Sequence, residues 1–131
     1  MKPVEGNHPP IRLLLIDDER GFVATLSKRL AKRNVKATQA FSGREGIQIL
    51  RKADFDVVLL DLKMEDMDGL EVLKIIKIMI PDLPVIMLSG HASEETAHNG
   101  MRAGAYDYLT KPYDIQELID KIASATKSDD E

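Results

Sequence analysis

The sequence contains no cysteine, so disulfides and thiolate metal sites are excluded and the redox compartment is left open. It has no basic excess: 18 Lys and Arg stand against 22 Asp and Glu, a net charge of −4. That balance argues against direct nucleic-acid binding, which needs a basic stripe. No apolar run approaches the length of a membrane span and the N-terminus has no signal-peptide core, so the expectation is a cytoplasmic chain without membrane contact. A Gly-rich nucleotide loop of the GxxxxGK[ST] type is missing, which argues against ATP as a direct phosphoryl donor. The histidines His8, His91 and His98 have no ligand spacing and read as surface residues.

What is present is an ordinary globular composition: 131 residues, 44% hydrophobic and 31% charged, enough for one domain with a substantial core. Residues 1–10, with Pro3, Pro9 and Pro10, read as a disordered lead-in, 11–126 as the folded domain, and 127–131 as a polar frayed tail.

The pattern centres on Val57-Val58-Leu59-Leu60-Asp61, an apolar run without polar alternation that reads as a strand buried on both faces. Leu13–Ile16 and Val85–Leu88 repeat it, the first ending in Asp17-Asp18-Glu19 and the second in Ser89-Gly90. Val35–Phe41 alternates weakly, as an edge strand does, and Tyr106–Thr110 is a last strand running into Lys111-Pro112.

Helical spacing lies between the strands. Acids at 17–19 open a helix with Phe22, Val23, Leu26 and Leu30 inward. Ser42-Gly43-Arg44-Glu45 fits a capping box, Asp68-Gly69 precedes a helix ended by Pro81, and Asp114 caps a final helix carrying Ile115, Leu118, Ile119 and Ile122. The helix over 93–102 has only Ala97 and Met101 as an apolar stripe, so it is expected to be weakly held. Five β-α units in strict alternation predict a mostly parallel sheet with helices on both faces and right-handed crossovers.

Strand ends of a parallel sheet meet at one rim, which gathers Asp17, Asp18, Asp61, Ser89 and Lys111. Each has a bland reading alone: helix-start acids, a turn aspartate, a turn serine, a solvated lysine. Four successive strand ends delivering them together make coincidence a poor account. Three carboxylates repel unless a cation joins them, and hard oxygen ligands favour Mg²⁺ or a close substitute such as Mn²⁺. A lysine and a hydroxyl beside one carboxylate suit phosphoryl transfer, with Asp61 as nucleophile.

These residues, with Met64, Asp68-Gly69 and the run Gly104–Pro112, resemble the response-regulator receiver domain of two-component signalling over residues 11 to about 126. The resemblance implies a flavodoxin-like (βα)₅ fold of strand order 2-1-3-4-5. It further implies that Asp61 accepts a phosphoryl group from a histidine kinase or histidine phosphotransfer protein. Asp18, Asp61 and the Lys63 backbone carbonyl would bind Mg²⁺, with Asp17 acting mainly through water. Ser89 and Tyr108 would be the switch pair, and the Lys111–Pro112 bond would be cis. The output would be the face formed by the fourth helix, the fifth strand and the final helix, acting on a downstream protein or fused output domain, or through a phosphorylation-dependent homodimer. Lys63 and His91, two residues beyond Asp61 and Ser89, would border the phosphoryl group. Position 65, often proline in this family, is Glu65 with Asp66 beside it, which implies a more acidic and more mobile loop.

The chain reads as a signalling module rather than a turnover enzyme, either a single-domain regulator or the receiver part of a longer one. Its run from Gly104 to Pro112 is similar to receivers ahead of ATPase-type transcription activators. The competing reading is a Mg²⁺-dependent phosphohydrolase with an aspartyl nucleophile. Such an enzyme needs a second acid two residues after the nucleophile, where this chain has Lys63. A pseudo-receiver that binds without phosphorylation is disfavoured because the acidic set is whole.

Overall fold

Alternation of apolar strand and amphipathic helix resolves into ten elements in the computed structural model, which describes residues 8–90 and 94–127. In chain order they are β1 (Ile11–Ile16), α1 (Arg20–Ala31), β2 (Val35–Ala40), α2 (Gly43–Leu50), β3 (Val57–Asp61), α3 (Gly69–Met79), β4 (Val85–Ser89), α4 (Glu94–Arg102), β5 (Asp107–Thr110) and α5 (Ile115–Ala125). The strands form one five-stranded sheet of order β2-β1-β3-β4-β5, every neighbouring pair parallel. This is the flavodoxin-like arrangement the resemblance implies.

Successive side chains of a strand point to opposite faces, so the central strands feed two separate cores. Leu14, Ile16, Val58, Leu60, Val85 and Met87 pack on one face with Ile47 and Leu50 of α2 and Val72, Leu73 and Ile76 of α3. Leu13, Leu15, Val57, Leu59, Ile86 and Leu88 pack on the other with Val23, Leu26 and Leu30 of α1 and Leu118 and Ile122 of α5. β3 and β4 are buried along their whole length, as runs without polar alternation require.

Local chemistry sets the helix starts. Ser42 Oγ accepts from the Glu45 amide at 3.0 Å, and Glu45 Oε1 accepts from the Phe41 amide at 2.7 Å, one residue earlier than a reciprocal capping box would have it. Asp68 and Asp114 cap α3 and α5 through the amides of Leu70 and Gln116.

The structure refines three expectations. Of the acids at 17–19, Glu19 opens α1 as its N-cap without a side-chain bond; the helix begins at Arg20 with no acid in its first turn, and Asp17 Oδ1 accepts from the Glu19 amide at 2.9 Å. β5 starts at Asp107, leaving Tyr106 outside it and 43% exposed. On α4, Met101 is 41% exposed, and the inward positions are Ala97 and Gly100. A Cβ at Gly100 would collide with the Sδ and Cε of Met87, so this helix meets β4 through its backbone.

Candidate functional site

Parallel register brings the chemistry-bearing strand ends to one rim. Asp61 closes β3 and Ser89 closes β4, while Asp17 and Lys111 directly follow β1 and β5. The rim is knitted by backbone: the Asp17 amide donates to the Ala40 carbonyl at 3.0 Å, the Leu62 amide to the Leu88 carbonyl at 3.1 Å, and the Lys111 amide to the Ser89 carbonyl at 2.7 Å. The Lys111–Pro112 peptide is cis.

Asp17, Asp61 and Ser89 are 0%, 5% and 4% exposed, three polar side chains buried among apolar strand ends. Asp17, Asp18 and Asp61 each present a carboxylate oxygen within 4.8 Å of the others. Burial first, and then the charge of Asp17, pushes Asp61 up to about 6; Lys111 and the Lys63 amide oppose the rise, and Asp18 adds to it. Burial likewise raises Asp17, against the pull of the Glu19 amide and Lys111. Burial works against the Lys111 ammonium, but Asp17, Asp61 and Glu19 together outweigh it and raise its pKa. The cluster therefore carries more negative charge than its lysine offsets. Three hard carboxylates in that condition, with neither His nor Cys among them, fit Mg²⁺ or Mn²⁺.

Lys111 does not sit against Asp61. Its Nζ lies 3.3 Å from Asp17 Oδ2 and 3.2 Å from Glu19 Oε1, over the ring of Phe22 at 4.2 Å from the centroid. Glu19 and Phe22 thus belong to the setting of the site. From the sequence alone they read as a helix-start acid and a core aromatic; the signal available is a third acid following the pair. Beside them a cleft of about 520 Å³ is lined by Thr25, Arg29, Pro112 and Tyr113. Tyr108, on the edge strand β5, is 40% exposed.

The loop after β3 is bonded on both sides. The Lys63 amide donates to Asp61 Oδ1 at 3.3 Å, the Glu65 amide to Asp18 Oδ2 at 3.1 Å, and the Asp66 carboxylate accepts from the amides of Gly43 and Arg44, both at 3.0 Å. Lys63 and Asp68 pair through their backbones in an isolated antiparallel β-bridge, and a Cβ at Gly69 would meet the Leu62 carbonyl oxygen at 2.7 Å, so α3 starts hard against the loop. His91, expected to border the site, lies outside the described residues.

Comparison with known proteins matches residues 13–123 to the family described as the response regulator receiver domain. The transcriptional regulatory protein GlrR of Escherichia coli is 36% identical over 119 residues, 91% of this chain and 27% of that protein. The cell cycle response regulator CtrA of Brucella ovis is 36% identical over 112 residues, 86% of this chain and 48% of that protein. The chain thus spans between about a quarter and a half of the length of these relatives. Among solved structures, the Francisella response regulator 1452 receiver domain superposes with a TM-score of 0.84 at 32% identity, covering 89% of this chain and 97% of that one.

Proposed function

The chain belongs to the response-regulator receiver family, and from that premise we propose that it is a phosphoacceptor switch with Asp61 as the residue modified. The observation that carries this reading is the buried Asp61 carboxylate at the rim, held among Asp17, Asp18 and Lys111 and strained upward in pKa to about 6.

An Asp61 oxygen attacks the phosphorus of a phosphohistidine on a histidine kinase or phosphotransfer protein. The new O–P bond forms as the P–N bond breaks, and the imidazole leaves with its electron pair. Asp18, Asp61 and the Lys63 carbonyl would hold Mg²⁺, with Asp17 behind them. When bound, the ion neutralises charge on the transferring oxygens. Lys111 shifts from Asp17 and Glu19 toward the new anion, and Ser89 donates its hydroxyl to a phosphoryl oxygen. The modification adds about −1.5 to −2 charges at the rim. Tyr108, exposed in this structure, turns inward behind Ser89, and the surface of α4, β5 and α5 is remodelled for a downstream protein, a fused output domain or a second copy.

Receiver domains are signalling modules. The phosphohydrolase reading finds no support in the loop, where the position two residues after Asp61 is Lys63, its amide on Asp61 and its side chain exposed. Intact mass after incubation with a small phosphodonor and Mg²⁺, on the wild type and on Asp61→Asn, tests the proposal. One phosphoryl adduct that needs Mg²⁺ and is absent from the variant supports it. Many turnovers of free phosphate would favour a hydrolase, and neither adduct nor turnover, even with candidate kinases, a phosphorylation-independent binder.

A further inference from the structure

The carboxylate of Asp66 spans two consecutive amides. Oδ1 accepts from Gly43 and Oδ2 from Arg44, each at 3.0 Å, across a sequence distance of more than 20 residues. A negative charge at that place also meets the positive end of α2. α2 has a separate device for starting, since Ser42 caps the Glu45 amide and Glu45 reaches back to Phe41. Arg44 is exposed, where water could serve its amide, but Gly43 is buried and its amide takes its partner from the Asp66 carboxylate. The fork therefore fixes its own loop to a part of α2 that does not move freely in solvent, in addition to the cap that Ser42 supplies.

That loop is bonded on its other side to the acidic cluster, through the Lys63 amide on Asp61 and the Glu65 amide on Asp18. Met67 and Val72 close against Gly43 so tightly that a Cβ there would lie 2.7 Å from Val72 Cγ2 and 3.3 Å from Met67 Cβ. Four residues, 63 to 66, thus tie α2 to two of the three carboxylates.

We infer that Asp66 is a positioning residue for the divalent-cation site, holding the Lys63–Glu65 backbone in register with Asp18 and Asp61 by anchoring it to the first turn of α2. This rests on the reading of the site as a cation-dependent phosphoacceptor. It also makes α2 sensitive to what occupies the rim, because a coupling between two sites acts in both directions.

Calorimetric titration of Mg²⁺ into the wild type, Asp66→Ala, Asp66→Asn and Ser42→Ala tests it. Asp66→Ala weakens Mg²⁺ binding about tenfold, the lower end for residues that orient metal ligands. Asp66→Asn, which keeps one acceptor, recovers part of the loss. Ser42→Ala lowers the melting temperature by loosening the same helix end but leaves Mg²⁺ affinity unchanged. Mg²⁺ also slows hydrogen exchange at the Gly43 and Arg44 amides of the wild type, and not of Asp66→Ala. Equal affinity in wild type and Asp66→Ala overturns the inference while leaving the site intact. So does an equal loss in Ser42→Ala, which would mark a general loosening of α2. A wild type that binds no Mg²⁺ overturns the reading of the site, and the inference with it.

Discussion

Asp61 is ionised at neutral pH at a cost set by its surroundings: it is 5% exposed, and its pKa is pushed to about 6. The unfolded chain has an aspartate near 3.9, so between about pH 4 and pH 6 the folded state holds a proton that the unfolded state has released. Stability from this group therefore falls as pH rises through that window, and the penalty is complete above it. Asp61→Asn removes the penalty. Without divalent cations the variant should be more stable by about 1–3 kcal/mol at pH 7, a gain that fades as pH drops toward 4. Thermal melts in chelator across that range check it, and a variant no more stable than wild type at pH 7 would refute the strain. The rim residues themselves were legible in the sequence because each follows an apolar run and parallel strands end together. The partners were not. Lys111 reaches Glu19 across 92 positions and Asp66 reaches Arg44 across 22, distances no local pattern spans.

At the scale of elements, the junction between β3 and α3 is the tightest joint near the site. Gly69 has room for no side chain, since a Cβ would lie 2.7 Å from the Leu62 carbonyl oxygen and 2.9 Å from that of Asp61. The neighbours it would strike are backbone, which cannot swing aside. Gly69→Ala is expected to cost about 3 kcal/mol, the upper end for overpacking, and to weaken Mg²⁺ binding as well; chemical denaturation and cation titration of one sample read both. Strands and most helices were predicted from apolar spacing, because burial on one or both faces dictates it. α4 was the exception. A pattern that seeks large apolar residues selects Met101, whereas the helix packs through Gly100, whose missing side chain lets it lie on Met87. Close approach of backbone leaves no hydrophobic signature.

For the molecule as a whole, one sheet serves two cores, and neighbouring residues of a single strand belong to different ones: Leu59 faces α1 and α5, Leu60 faces α2 and α3. Neither core can dissolve without exposing the sheet that the other needs. Leu59→Ala and Leu60→Ala should each cost about 3 kcal/mol, and both should shift the helical circular-dichroism and tyrosine-fluorescence transitions together as one two-state step. Separate midpoints in either variant would mean that the faces melt independently. The rim has a further property once its bonds are followed around. Asp17 is joined to Lys111 through the ammonium, Lys111 to Ser89 through its amide, and β4 to β3 through Leu62 and Leu88, while β3 lies beside β1, which carries Asp17. These links make a closed hoop whose side-chain clasp is Lys111, held on both Asp17 and Glu19. A hoop shares any displacement among all its members, so Ser89 cannot be drawn toward Asp61 without loading the edge strand. If Lys111 turns from Asp17 and Glu19 to another anion, as the proposed function requires, the clasp would open and release the edge strand from its far anchor, making the capture of a charge a mechanical event.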